Sequence, residues 1–226
     1  MENKRIKLRG IQRQAAHRLV TSKTEIPHVT TIREIRMDSV LRLRAKLMDD
    51  LPERKTSLYP FTILAVLSGM HQYPIFNANL EGEEIVFHED ANIGIAITVG
   101  ENLIVPVVKG VQRLTFDQIN DACNDLVTRS MQKKLATSDL QDGTFTITNS
   151  GALGGELFTP IINYPQSAIL GIGRIKDKPI VAADGSIIAC PLMYLCLSYD
   201  HRIINGSQAV GMLECIDAYM QDPILP

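Results

Sequence analysis

The sequence predicts a mixed α/β domain whose sheet is mixed or largely antiparallel. Three observations carry this. Strand-like segments come in runs with turn signals between them. Helical periodicities intervene irregularly instead of following every strand. The chain has 226 residues of ordinary composition, 45% hydrophobic and 21% charged, enough to bury a substantial core in one domain over residues 1–226.

The elements follow in order. Ile11 to Lys23 is helix-like, with Ile11, Ala15, Ala16, Leu19 and Val20 on one face, and Pro27 ends it. Val29 to Met37 alternates and is rich in Thr and Ile, which predicts a strand. Asp38 reads as the N-cap of a helix to about Met48. Leu58 to Met70 is apolar nearly all round, a buried helix that Pro74 stops. Ile85 to Val86, Ile93 to Val99 and Leu103 to Val108 read as strands, the last pair joined around Gly100-Glu101-Asn102. Thr115 and Gln118 have capping-box spacing, opening a helix with Phe116, Ile119, Cys123, Leu126, Val127 and Met131 on one side. After an Asp142-Gly143 turn come strands at Thr144 to Thr148, Ser167 to Ile172 and Ile187 to Ser198. Gly206 to Met220 is a final amphipathic helix.

Composition narrows the function. A net charge of -2 gives no basic field for nucleic acid, and no nucleic-acid motif is present. The longest apolar run, roughly Leu58 to Leu67, is too short to cross a bilayer. The charged start MENKRIKLRG is not a signal peptide. Four cysteines without a CxxC pair make neither a disulfide framework nor a structural zinc site, so a reducing compartment is expected, the cytoplasm or a mitochondrial matrix.

Two stretches hold candidate chemistry. Of the five histidines, His17, His28, His71 and His88 read as ordinary structural or surface residues, too dispersed to bind a metal. His201 ends a long apolar strand just before a helix, a rigid place to display a proton-transferring side chain. Thr146 to Ser150 puts hydroxyls at the end of another strand, and Gly151, Gly154 and Gly155 follow. That stretch is no phosphate-binding loop and no GxSxG elbow, so the residues alone leave turn geometry and close substrate approach both open.

Together these stretches resemble the catalytic domain of the dihydrolipoamide acyltransferases, the core components of 2-oxo acid dehydrogenase complexes. The resemblance runs through Leu8-Arg9-Gly10-Ile11, Ile26-Pro27-His28-Val29-Thr30, Gly94-Ile95-Ala96 and Leu103 to Val108. It continues through Thr144 to Asn149, Gly154-Gly155, Phe158 to Asn163 with Pro165-Gln166, and Ala168 to Gly171. It closes on Ser198-Tyr199-Asp200-His201-Arg202 with Gly206. It implies a chloramphenicol acetyltransferase-like two-layer sandwich, a mixed sheet flanked by helices, with residues 1–10 as an N-terminal arm.

The resemblance also implies an activity: transfer of an acyl group, acetyl or branched-chain, between dihydrolipoamide and coenzyme A. His201 would be the general base, and Thr148 would donate a hydrogen bond to the oxyanion. Asn205 stands where the usual motif has Asp, and would orient the site without charging it. Asp200 and Arg202, beside the base, read as structural salt-bridge residues, each with its own partner, since neighbouring side chains point different ways. Coenzyme A would be a substrate, the lipoyl group would come from a separate lipoyl domain, and no metal would be needed. Expected partners are further copies, as trimers with Thr148 and His201 on different subunits and cages of 24 or 60 chains, together with the lipoyl domain, the decarboxylase and dihydrolipoamide dehydrogenase. No lipoyl-lysine hairpin or subunit-binding module is visible, so an isolated core or a standalone acyltransferase is expected. The alternatives are a catalytically weak structural core and a chloramphenicol acetyltransferase-like enzyme with another acceptor.

Overall fold

The structure is a computed structural model that describes residue 5, residues 7–100 and residues 102–226. Residues 1–4 and 6 of the expected N-terminal arm, and Glu101 of the expected turn, lie outside the described residues.

Helices are α1 (Gly10–Glu25), α2 (Asp38–Asp50), α3 (Tyr59–Gln72), α4 (Phe116–Met131) and α5 (Gly206–Gln221). Strands are β1 (His28–Arg36), β2 (Ala78–Glu81), β3 (Glu84–Phe87), β4 (Ile93–Val99), β5 (Asn102–Ile104), β6 (Val107–Val108), β7 (Phe145–Asn149), β8 (Ala168–Ile172), β9 (Lys176–Val181) and β10 (Ile187–Asp200). The main sheet runs β1-β10-β8-β7-β4-β5, with β6 on β4 and β9 on β10. Its β4–β7 and β7–β8 pairings are parallel and the others antiparallel, so the sheet is mixed, as expected. A separate hairpin joins β2 and β3.

The two faces of the main sheet differ. One carries Ile93, Ile95, Phe145, Ile147, Leu170, Leu195, Leu197 and Tyr199, all in one buried cluster with α3, α4 and α5 residues such as Phe61, Ile119 and Met212. Each fully buried side chain of this size contributes roughly 1.5–3 kcal/mol. Glycines let α3 and α5 approach closely: a Cβ at Gly69 would strike Met212, and one at Gly211 would strike Tyr73. The other face has mostly small and polar residues in cross-strand rows, with an isoleucine in each. Gly94, Thr146, Ile169, Ser198 and Thr30 form one row, and Ala96, Thr148, Gly171, Cys196 and Ile32 the next. The loop between β7 and β8 lies over this face, where Ile162 packs with Ile169 and Ile26.

Several expectations are corrected. Asp38 is the first helical residue of α2 and not its N-cap; Met37 holds that place, and the Asp38 carboxylate goes to Arg36 and Arg42 instead. The predicted strand Leu103 to Val108 splits into β5 and β6 around Pro106, which has no N–H for the ladder. Strands β2 and β9 are additions. On the apolar face of α1, Ala15 and Ala16 are half-buried, whereas Leu19 and Val20 are 46% and 63% exposed. Its anchor is polar: Ser22, fully buried, donates to the Ile162 carbonyl at 2.6 Å. The Thr115–Gln118 capping box forms as predicted, Gln118 N–H to Thr115 Oγ1 at 3.3 Å and Thr115 N–H to Gln118 Oε1 at 2.9 Å.

Candidate functional site

His201 is the first residue past β10, and its exposed ring leans on Tyr199 at a centroid distance of 5.8 Å. The backbone beneath it is fixed on two sides. His201 N–H donates to the Pro27 carbonyl at 3.2 Å, and Asp200 N–H donates to the Ser167 carbonyl at 2.8 Å. The Asp200 side chain is buried, and Arg202 closes on it. Arg202 Nη2 and Nε donate to the carboxylate at 2.7 and 3.0 Å, and so does the Arg202 backbone N–H at 3.0 Å. These bonds push the Arg202 guanidinium up from its ordinary pKa. The two residues therefore pair with each other instead of with separate partners. The chain turns after Asp200, and an aspartate side chain readily bonds the backbone two residues on.

Asn205 begins α5. Its Oδ1 accepts from Gln208 N–H at 3.0 Å and from Ser207 Oγ at 2.6 Å, while Gln208 Oε1 accepts from Asn205 N–H at 2.9 Å. This capping box fixes the helix that follows His201. The bonds of the Asn205 side chain are local to the helix start.

Thr148 is half-buried near the end of β7, between Ala96 and Gly171 in its row. Its strand neighbour Thr146 instead commits its hydroxyl to Gln166 Oε1 at 2.6 Å. Through the register Thr148↔Gly171↔Cys196, Thr148 lies five residues along and two strands across from His201. At ~3.3 Å per residue and ~4.8 Å per strand this is roughly 19 Å. One chain therefore holds the two expected catalytic groups apart. The sequence carries no signal that Ala96 and Gly171 flank Thr148; only the register places them there.

The glycine stretch is architectural. Gly154 has φ +93°, and a Cβ at Gly151 would strike the backbone of Gly173. His28 is structural too. Its Nε2 accepts the Ile162 N–H at 3.1 Å, so Nδ1 carries the hydrogen and donates to the Ile26 carbonyl at 2.9 Å. Burial lowers its pKa. His17 and His71 are exposed on helices, and His88 follows β3. Among the described residues, no group of three or more His, Cys, Asp or Glu is placed to hold a metal, and no helix is long and apolar enough to cross a membrane.

Residues 1–226 match the family model of the 2-oxoacid dehydrogenases acyltransferase catalytic domain. The chain belongs to this acyltransferase family. It is 35% identical over 223 residues to the succinyltransferase component of the Escherichia coli 2-oxoglutarate dehydrogenase complex, covering 97% of this chain and 55% of that protein. It is 37% identical over 225 residues to the acetyltransferase component of the Bacillus subtilis pyruvate dehydrogenase complex, covering 98% and 51%. The chain thus spans about half the length of these relatives. Its structure is similar to the cubic core of a pyruvate dehydrogenase multienzyme complex (TM-score 0.93, 27% identity, 98% and 92% of the two chains). It is equally similar to Azotobacter vinelandii dihydrolipoamide acetyltransferase, in a study of the roles of a serine, a histidine and an asparagine in catalysis (TM-score 0.93, 26%, 98% and 92%). Chloramphenicol acetyltransferase shares the fold alone (TM-score 0.58, 14%, 90% and 94%). The expected sandwich is therefore the fold of this acyltransferase family.

Proposed function

We propose that the chain transfers an acyl group between a dihydrolipoyl thiol and coenzyme A, at a site built from Thr148 of one copy and His201 of another. The observation that carries this is the separation of the two residues on one sheet, each at the end of a rigid strand. Neither end makes a complete site, whereas two copies can bring a base and a hydroxyl together. The Azotobacter vinelandii study supports the assignment: its histidine and asparagine stand four residues apart, as His201 and Asn205 do here, and its serine offers the hydroxyl that Thr148 offers.

The steps balance. A neutral His201 nitrogen accepts the proton of the attacking thiol, whose ordinary pKa of ~8.5 leaves little thiolate at neutral pH. The sulfur adds to the thioester carbonyl. Thr148 Oγ1 donates a hydrogen bond to the resulting oxyanion. Collapse breaks the bond to the departing sulfur, which takes the proton from the imidazolium. The Asp200–Arg202 pair and the Asn205 cap hold the turn that aims the imidazole, and no group on the enzyme is acylated.

The similarity to a cubic core supports assembly into trimers and then cages. Coenzyme A and a lipoyl group carried on a separate domain are the substrates this reading requires, and the decarboxylase and dihydrolipoamide dehydrogenase would be the partners that load and reoxidise it. The test is acyl exchange between acyl-CoA and dihydrolipoamide, run beside chloramphenicol. His201→Ala is expected to lower kcat by about 100- to 10,000-fold. Thr148→Ala is expected to lower it by about 100- to 1,000-fold. Undiminished exchange by correctly assembled His201→Ala would overturn the reading, and inactivity of the assembled native protein with both acceptors would favour a scaffold.

A further inference from the structure

The relatives include both succinyl- and acetyltransferases at nearly equal identity, so overall similarity does not choose the acyl group. The row containing Thr148 offers a local criterion. Directly paired residues on neighbouring strands present their side chains to the same face. Thr148, Gly171 and Cys196 therefore share one face, with Gly171 in the middle. Gly171 has no side chain, and the ring of Phe158, from the loop over this face, fills the gap. The position a Cβ would take at Gly171 lies 2.6 Å from Phe158 Cζ, and 3.0 and 3.2 Å from the two Cε atoms. The ring thus meets the sheet tip-first, standing on it as a partition. Paired Cβ positions lie roughly 5 Å apart, so this partition is beside the Thr148 side chain.

One direction open to the tail of an acyl group whose carbonyl accepts a bond from Thr148 runs along this row. Toward Gly171 the tail meets the aromatic edge. Ala96, on the other side, is small and half-buried, and like Gly171 and Phe158 it has no charge to offer a terminal carboxylate.

We propose that Phe158, seated on Gly171, is the specificity-determining wall of the acyl pocket, and that it favours a short uncharged acyl group, acetyl, over branched and dicarboxylic ones. This rests on the acyl-transfer reading above. The test measures kcat/KM of the assembled protein with acetyl-, propionyl-, isobutyryl- and succinyl-CoA against dihydrolipoamide, for the native chain, Phe158→Ala and Phe158→Leu. The native chain should prefer acetyl-CoA. Phe158→Ala should raise the isobutyryl-to-acetyl ratio by about tenfold or more, since one methylene in an apolar pocket discriminates by about 10- to 200-fold. Phe158→Leu keeps an apolar contact with Gly171 and should shift the ratio in the same direction by less; it carries the test if the alanine variant does not assemble. A merely structural ring would lower all four rates together and leave the ratios alone. An active protein whose ratios stay within about twofold in both variants would overturn the wall alone, and so would a native preference for succinyl-CoA. A native protein that turns over none of the four would overturn the acyl-transfer reading and this one with it.

Discussion

Protonating His28 would break a bond at the rim of the site. Its Nε2 accepts the Ile162 N–H, and an imidazolium has no lone pair there to accept. Burial disfavours the charged ring and sets its pKa below 6.5; the Ile26 carbonyl and Asp200 pull the other way, and Lys23 adds to the lowering. The unfolded chain takes up this proton as pH falls through 6.5, while the folded chain does not. The contribution to stability is therefore fully present above 6.5 and is lost as pH falls toward the folded value. His28→Gln places an untitratable acceptor near the same position. Its thermal midpoint should fall less steeply than that of the native chain below pH 6.5, with the two curves parallel above it. At this scale the sequence is informative about position: it places His201 just past one strand and Thr148 near the end of another, and both stand there. It is silent where a bond depends on how the chain turns. The mutual pairing of Asp200 and Arg202 is such a case: β10 ends at Asp200, and the turn after it brings the Arg202 N–H and guanidinium onto the carboxylate.

Helix α5 shows what a single cap does for the turn that carries His201. Asn205 satisfies Gln208 N–H, and its loss in Asn205→Ala should cost about 1 kcal/mol by thermal or urea unfolding. Asn205→Asp keeps an acceptor in the same place and should retain that stability. If Asn205 orients without charging the site, kcat of Asn205→Asp at neutral pH should also stay within about tenfold of the native value, well inside what an active-site electrostatic contact is worth. The elements legible in the sequence are those with strong periodicity or caps: α3 with its continuous apolar surface, α4 with Thr115 and Gln118, β4, β8 and β10. Strand β9 escapes notice because Lys-Asp-Lys-Pro-Ile-Val offers charges and a proline, tolerable only because β9 pairs on one side, with β10. Strand β2 escapes because Asn79 is a poor strand former; its backbone is held by β3 and by a bridge to Gln166. Helix α1 reads as amphipathic, but Leu19 and Val20 stay exposed among the described residues, and periodicity alone does not tell a buried surface from an open one.

The proposed two-copy site makes a claim about the whole assembly. Thr148→Ala and His201→Ala should each be nearly inactive alone. Co-expressed in equal amounts, they should recover about a quarter of native activity, because random assortment around a ring of heterologous contacts gives one site in four both native residues. Recovery near zero from mixed, correctly sized assemblies would place both groups in one chain's site and contradict the separation along the sheet.

The register of β1 has a further consequence. His28 pairs with Asp200 and Arg36 with Leu192, so a strand near the start of the chain is completed by one near its end. While a ribosome is still making the chain, β1 has no mate, and neither does the Pro27 carbonyl that will receive His201 N–H. Closing so long a loop is entropically slow. The sheet edge that carries His201 is therefore assembled only after synthesis has passed β10, and during translation β1 is an exposed, adhesive segment that chaperones or neighbouring nascent chains can reach first.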